Sequence, residues 1–242
     1  MRLLFILFLL LSFSAFSDNP QIALIFDDLG NSLEEFKDIY SLKIPLTVAI
    51  LPEQSFSENL AYLADRLGFS VLLHLPLEPK RKNKSFLKNK DKFIGRHLSW
   101  RKTKKLLNYY LNLRYVKRVC IGLNNHMGSK ASCDPQLMRI VLEEVKKHNK
   151  IFIDSHTTEN SCICKVASFL NLTCFESLGF LDAETKKGVI KRLHFFIKEA
   201  EKRGKIIIIA HPHKTVIEAL KEEIPKVKKK VEFVTVKQFI EE

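Results

Sequence analysis

The sequence lacks several features that would place it in a common functional class. It has no internal repeat and no linker rich in proline or serine, so its 242 residues are expected to form one domain. It has no zinc-finger spacing of cysteines and no strand that interleaves aromatic and basic residues, which argues against nucleic-acid binding. It also has no Gly-x-Ser-x-Gly motif, which argues against a serine hydrolase with a nucleophile elbow.

A long hydrophobic run occurs only at the N-terminus. Arg2 is followed by an apolar run at residues 3–11 and by small residues at Ala15 and Ser17. This order predicts a signal peptide over residues 1–17 and a mature domain over residues 18–242. Because the run is short for a membrane span, we expect an exported protein of the periplasm or cell envelope. Membrane association is expected only if cleavage of this segment fails.

Basic residues outnumber acidic ones, and the formal net charge is +13. Two dense clusters lie at residues 80–92 and 226–230. One interpretation is a solvated surface and a flexible loop. The other is a patch for anionic envelope polymers or lipid headgroups.

The five cysteines do not complete a structural metal motif. Cys162 and Cys164 are separated by one residue, a spacing compatible with a redox pair or a soft metal site, but no second pair follows. In an exported protein some cysteines can pair, and an odd count leaves at least one free or intermolecular. Cys120 and Cys174 lie in apolar runs and are interpreted as small buried residues.

Short apolar runs alternate with segments of helical pattern along the chain. The expected strands are 22–26, 46–50, 70–74, 119–123, 151–153, 172–175, 206–210 and 232–234. The expected helices are 32–41, 55–67, 99–113, 135–149, 161–170, 185–203, 215–223 and 236–241. Seven or eight such units predict an α/β fold, a barrel of mostly parallel strands that is irregular or incompletely closed. The segment 80–97 has no periodicity and is expected to be a loop over the rim.

Polar side chains follow five of the apolar runs. The first run leads into Asp27 and Asp28, and the others lead into His74, His126, Asp154 and His211. In an alternating β/α chain the carboxyl ends of the strands gather on one rim. Adjacent buried carboxylates are unfavourable unless a cation or a proton offsets their charge. The pattern therefore predicts a metal or acid–base site at that rim.

Five segments carry these residues in one order along the chain. They are Asp27-Asp28-Leu29-Gly30-Asn31, His74-Leu75-Pro76-Leu77-Glu78-Pro79, Asn124-Asn125-His126-Met127-Gly128-Ser129, Asp154-Ser155 with Thr157-Thr158, and His211-Pro212-His213. Together they resemble the divergent polysaccharide deacetylase family, a remote branch of the carbohydrate esterase family 4 superfamily. The resemblance implies a distorted (β/α)7 barrel, an envelope location and a metal-dependent deacetylase site.

The resemblance also implies a set of metal ligands. Asp28 and His74 match ligand positions, and Glu78 replaces the second histidine of an i, i+4 pair, as a ligand or as a partner of His74. His126 leaves the neighbouring strand and is expected to supply the missing imidazole. The implied cofactor is a divalent metal ion, with zinc the expected identity.

Roles in proton transfer and substrate binding follow from the same matches. Asp27 corresponds to the base and His211 to the general acid, and Asp154 is expected to orient His211 or the base. The expected substrate-binding residues are Asn125, Ser129, Thr157 and His213. The sequence departs from the family pattern at two places. His156 stands where an arginine is expected, and no Arg-Asp pair precedes Phe180-Leu181-Asp182.

These features predict a metal-dependent hydrolase that deacetylates an N-acetylated or O-acetylated polysaccharide or a peptidoglycan-type sugar. The alternative is a catalytically weak or inactive envelope protein that binds or scaffolds glycans on the same fold, because the second motif and the arginine are altered. A further alternative is a metal-dependent hydrolase of another small amide or ester.

Overall fold

The structure, a computed structural model, describes residues 19–241. The expected signal peptide at residues 1–17 lies outside them. The strands are β1 (Gln21–Leu29), β2 (Thr47–Ile50), β3 (Ser70–Leu77), β4 (Cys120–Met127), β5 (Ile151–Asp154), β6 (Cys174–Glu176), β7 (Lys205–Ala210) and β8 (Glu232–Val234). All eight lie where the sequence pattern predicts a strand.

Helices connect these strands. They are α1 (Leu33–Tyr40), α2 (Ser57–Arg66), α3 (Lys84–Lys88), α4 (Trp100–Leu111), α5 (Arg114–Arg118), α6 (Pro135–Lys147), α7 (Ile163–Phe169), α8 (Lys186–Arg203), α9 (Lys214–Val227) and α10 (Val236–Glu241), with 3-10 turns at Lys90–Lys92 and Ala131–Cys133. Side chains satisfy the first amides of several helices: Ser32 caps α1, and Asp134 caps α6 ahead of Pro135. None of the described helices is long and apolar enough to cross a membrane.

The strands form one parallel sheet that curves into a barrel. Its order is β6-β5-β4-β3-β2-β1-β7, and β8 pairs with the first residues of β1. Residues 177–181 bridge the gap between β6 and β7: Leu178 N donates to Ile207 O at 2.8 Å, and Leu181 N donates to Ile209 O at 2.7 Å. The expectation of a distorted (β/α)7 barrel in a single domain is therefore confirmed.

Strand alternation fills the lower half of the barrel with apolar side chains. Ala23 and Ile25 of β1 and Ile207 and Ile209 of β7 are buried in a cluster that Phe239 of α10 closes from below. This cluster is separate from the larger one that joins the strands to the surrounding helices. Because side chains repeat on one face every second residue, the next inward position on β1 belongs to Asp27.

Three strands extend further than the apolar runs indicate. β1, β3 and β4 continue through Leu29, Leu77 and Met127, so their polar residues lie within the sheet. The reason is that the partner strands supply backbone hydrogen bonds to this level, as His74 pairs with Asn124 in register. The segment expected to be a loop contains the five-residue helix α3, which Asn83 caps.

One disulfide joins Cys164 at the start of α7 to Cys174 of β6. The interpretation of Cys174 as a buried small residue is therefore wrong, because the residue is covalently paired and only partly buried. Cys120 is buried as expected, and Cys133 and Cys162 are free. The link fastens the short strand β6 to the helix that precedes it.

We predict that reduction of this disulfide lowers the free energy of unfolding by about 3 kcal/mol, because closing a loop of this length restricts the unfolded chain. Urea unfolding with and without reductant measures the change, and Cys164→Ser/Cys174→Ser provides the permanently open form. Alkylation of the oxidised protein should label neither cysteine. Labelling of both in the absence of reductant would show that the bond does not form.

Candidate metal centre

Two adjacent carboxylates enter the mouth of the barrel from β1. Asp28 adopts a left-handed backbone conformation with φ of 64°, and the pairing of β1 with β2 shifts register between Phe26 and Leu29. This bulge turns Asp28 towards the face that Asp27 already occupies. The two carboxylates therefore share one face, although β1 continues through the bulge to Leu29.

Asp28 forms a compact cluster with two histidines from neighbouring strands. Its Oδ1 lies 3.0 Å from His74 Nε2 and 2.8 Å from His126 Nδ1. The two ring nitrogens face each other at 3.3 Å. The side chain of His74 is 2% exposed and that of Asp28 is 37% exposed, so the cluster opens to solvent on the Asp28 side.

The donor set fits a divalent metal ion. Ligands at about 2.0–2.2 Å from one zinc ion must lie roughly 3 Å from one another, and the three pairs here lie 2.8–3.3 Å apart. Two imidazole nitrogens and a carboxylate oxygen this close to one another could share one bound cation. Two imidazoles and one carboxylate with open positions are typical of catalytic zinc sites.

Asn124 orients His74 and Asp27 at once. Its Oδ1 accepts a hydrogen bond from His74 Nδ1 at 2.8 Å, and its Nδ2 donates to Asp27 Oδ1 at 2.7 Å. The first bond fixes the tautomer that leaves His74 Nε2 free to ligate. The second leaves Asp27 Oδ2 as the free oxygen, 3.6 Å from His74 Nε2.

Burial separates the proton affinities of the two carboxylates. Burial raises the pKa of Asp27, and the opposing effects of His74, His211 and the Asn124 bond are smaller. Burial also opposes ionisation of Asp28, but hydrogen bonds from His126 and His74 outweigh it and hold its pKa well below the usual range. Asp28 is therefore ionised and could ligate a cation, and Asp27 is suited to take up a proton.

His211 lies across the mouth and is held by Asp182. Its Nδ1 donates to Asp182 Oδ2 at 3.0 Å, and its backbone N donates to Asp182 Oδ1 at 3.0 Å. Its Nε2 points towards the cluster, 3.7 Å from Asp28 Oδ2. Burial lowers the pKa of His211, but Asp182 outweighs this effect and raises it to about 9. The ring is therefore protonated at neutral pH.

The prediction that Asp154 orients His211 or the base is wrong. Asp154 Oδ1 accepts from His156 N at 2.8 Å, and Oδ2 accepts from Ser161 Oγ at 2.5 Å. Both oxygens thus hold the loop after β5. The bridge formed by residues 177–181 instead carries Asp182 to the end of β7, where His211 begins the next loop.

The prediction that Glu78 ligates the metal or supports His74 is also wrong. Its carboxylate accepts from Lys130 Nζ at 2.7 Å and from Arg96 N at 2.9 Å. Residues four apart on a helix are neighbours, but on an extended strand they are about 13 Å apart. Since β3 continues through Leu77, Glu78 leaves the sheet too far along to meet His74. His126 takes the third place in the cluster, as expected.

The expected substrate-binding residues have different surroundings. Asn125 is 1% exposed. Its Nδ2 donates to Met127 O, and its Oδ1 accepts from Ser155 N. The prediction that Asn125 binds substrate is therefore wrong. Ser129 and Thr157 are partly exposed, and His213 is exposed with its ring stacked 5.8 Å from that of His211. For these three, substrate binding stays a prediction.

Sequence reasoning missed Asn124 and Asp182. Asn124 lies directly before Asn125. It is two residues from His126, and residues two apart on a strand face the same side, so its inward direction could have been predicted. Asp182 lies in the Phe180-Leu181-Asp182 segment, where only a missing Arg-Asp pair was noted. Nothing local indicates that this aspartate meets His211, because 29 residues separate them.

Comparisons with known proteins identify relatives. Residues 24–240 match the family described as divergent polysaccharide deacetylase. An uncharacterized protein of Haemophilus influenzae is 29% identical over 218 residues, which cover 89% of this chain and 75% of that protein. A solved structure of an uncharacterized protein from Agrobacterium tumefaciens has a TM-score of 0.82 at 18% identity, covering 92% of this chain and 90% of that chain.

A more distant solved structure is similar in fold. It is the catalytic domain of peptidoglycan N-acetylglucosamine deacetylase from Eubacterium rectale, with a TM-score of 0.54 at 11% identity. The match covers 90% of this chain and 88% of that chain. At this identity the likeness is one of fold.

We predict that Asn124→Ala lowers the affinity for a divalent metal ion by about 10–100-fold, because His74 loses the bond that fixes its tautomer. Competition with a chromophoric chelator measures the affinity. Asn125→Ala is the matched control, since it removes a buried amide from the same segment without a bond to His74. Equal losses in the two variants would mean that Asn124 acts only through general stability.

Proposed function

The chain belongs to the divergent polysaccharide deacetylase family, and from that membership we propose that it is a metal-dependent hydrolase that deacetylates an N-acetylated or O-acetylated polysaccharide or peptidoglycan-type sugar. The family supports a hydrolase that acts on amide bonds. The observation that carries the proposal is the Asp28–His74–His126 cluster, with a proton acceptor and a protonated histidine beside it.

Asp28, His74 and His126 would hold the metal, which we propose to be zinc. When bound, a divalent ion polarises the acetyl carbonyl and makes water acidic enough to attack near neutral pH. His74 is fixed by Asn124, and Asp28 stays ionised because two imidazoles bond to it. The cluster is therefore oriented before substrate arrives.

Asp27 and His211 divide the movement of protons. Asp27 accepts a proton from the attacking water at Oδ2, the oxygen that Asn124 leaves free. His211 carries its proton on Nε2, because Asp182 holds Nδ1, and donates it to the departing sugar nitrogen. Phe180 stacks on the His211 ring with centroids 6.0 Å apart, which limits rotation of that ring.

We place the protein outside the cytoplasm. The order of charge, apolar run and small residues at positions 1–17 supports export. The Cys164–Cys174 disulfide supports it independently, since disulfides persist in oxidising compartments. An acetylated envelope polymer is then the available substrate.

The alternative of an inactive glycan-binding protein has less support in the geometry. It was motivated by the altered second motif and by the lost arginine. For the first, His126 completes the three-residue cluster without Glu78. A solved structure described as a pseudoenzyme of carbohydrate esterase family 4 is similar at a TM-score of 0.50 and 14% identity. That likeness is to the fold and assigns no inactivity to this chain.

We predict that Asp27→Asn reduces acetate release from an N-acetylglucosamine oligomer by about 10²–10⁴-fold while zinc content stays near one per chain. Asp28→Asn should lose the metal together with activity. Acetate release and elemental analysis of the purified variants measure both effects. Full activity in Asp27→Asn would exclude the mechanism. Zinc binding without acetate release from any acetylated sugar by the parent protein would favour the inactive alternative.

We predict that Asp182→Asn moves the alkaline limb of the pH profile of kcat/KM to lower pH. The active form of His211 is protonated and its pKa is raised to about 9. Loss of the carboxylate lowers that pKa towards about 6.5, so the acid is lost earlier as pH rises. Asp154→Asn is the matched control, since Asp154 bonds the loop after β5. An unchanged limb in Asp182→Asn would remove His211 from the acid role.

A further inference from the structure

We propose that the substrate is a polyanionic acetylated glycan, held beside the metal centre by a surface that we name the basic rim. This proposal rests on the proposed deacetylase function and names its substrate class. The basic rim consists of the side chains of Lys80, Arg81, Lys82, Lys84, Lys88, Lys90, Arg101, Lys102 and Lys105. All nine are exposed.

Almost the whole net charge of the chain lies in this one segment. Residues 80–105 contain twelve Lys and Arg and a single acidic residue, Asp91, a net charge of +11 against +13 for the whole chain. The other residues are therefore close to balanced. Such a concentration of one sign produces a local field that a diffuse surface charge does not.

The charges of the basic rim form no ion pairs with the described carboxylates. Over residues 19–241, no carboxylate oxygen lies within 4.0 Å of a side-chain nitrogen of the nine, although Lys92 pairs with Glu53 and Lys104 with Glu144 in the same segment. Glu53 and Glu144 are thus engaged by residues outside the basic rim. The nine cations remain available for an anionic ligand.

The segment that carries the basic rim contacts the surroundings of the metal centre. Lys80 N donates to Ser129 Oγ at 3.0 Å, three residues beyond the ligand His126. Phe93 lies against the His126 ring, with centroids 5.9 Å apart. Leu77 and Ile94 form a parallel bridge at the end of β3. A polymer with one sugar at the cluster would therefore continue across these cations.

Buried contacts fasten the segment that carries the basic rim. Glu78 is 2% exposed and joins Lys130 Nζ to Arg96 N. Arg96 also pairs with Asp134, the cap of α6. Tyr110 Oη donates to Lys92 O at 2.9 Å. The cations are thus presented by an ordered backbone, which reduces the conformational entropy lost on binding.

A hydrophilic polyanion fits this surface better than a membrane or a nucleic acid. A membrane-surface helix needs a continuous apolar face, whereas α3 has five residues and one exposed apolar side chain, Leu87. Bases bind through free aromatic rings, whereas Arg101 and Lys104 lie over the ring of Trp100 at 5.2 and 5.9 Å. Continuity with the cluster favours the substrate itself.

Hyaluronan, which alternates glucuronate with N-acetylglucosamine, is the probe, and its carboxyl-reduced form is the neutral analogue. Titration calorimetry on the purified protein should show binding to hyaluronan that salt weakens and no measurable binding to the reduced polymer. Lys80→Gln/Lys82→Gln/Lys88→Gln should weaken binding by about tenfold. Equal binding of the two polymers would overturn the proposal.

The matched control is Lys228→Gln/Lys229→Gln/Lys230→Gln. It removes the same charge next to β8, which pairs with the first residues of β1, at the end opposite to Asp28. The control should bind hyaluronan like the parent, and an equal loss in both triple variants would mean that net charge alone is responsible. Tighter binding to phosphatidylglycerol vesicles or duplex DNA than to hyaluronan would also overturn the proposal.

Binding measured with Asp27→Asn separates this proposal from the deacetylase function. Charge-dependent binding without acetate release in the parent would contradict the function and support the basic rim. If the parent released acetate from a neutral N-acetylglucosamine oligomer and bound charged and neutral polymers equally, only the proposal of a polyanionic substrate would be contradicted.

Discussion

A left-handed turn of the backbone at Asp28 places two adjacent carboxylates on one side of a strand, and the candidate site depends on it. Without this bulge Asp27 and Asp28 would face opposite sides of the sheet. A left-handed non-glycine residue costs on the order of 1–2 kcal/mol, whereas each hydrogen bond to a charged group contributes about 1.5–3 kcal/mol. The bonds from His74 and His126 therefore outweigh the strain.

The buried negative charge also explains why residue 124 is an amide. Asp27 Oδ1 needs a donor and His74 Nδ1 needs an acceptor, and Asn124 provides both. A carboxylate at this position would add a third acid to the mouth, and an apolar side chain would leave two buried polar atoms unpaired, each at about 1–3 kcal/mol. One uncharged side chain thus couples the orientation of a ligand to that of the base.

The barrel and its central cluster were predictable because they follow from local periodicity. Apolar runs of the right length predicted all eight strands, and the meeting of their carboxyl ends predicted that Asp28, His74 and His126 converge. The partner of His211 was not predictable, because it depends on how residues 177–181 close the barrel between β6 and β7. A motif match identifies the acidic residues near the site, but it does not show which of them contacts His211 once the barrel closes.

Glu78 shows how a local extension changes the meaning of a sequence spacing. An i, i+4 pair can share a ligand where the chain turns or coils, but β3 remains extended through Leu77 because β4 pairs with it to that point. Glu78 is thereby displaced from the metal centre and buried beside Lys130. There, burial opposes ionisation, but Lys130 and His97 outweigh it and hold the pKa of Glu78 below the usual range. The carboxylate stays charged and fastens residues 94–97 over the end of the strand. Glu78, which replaces a histidine of the family motif, therefore anchors the segment that carries the basic rim.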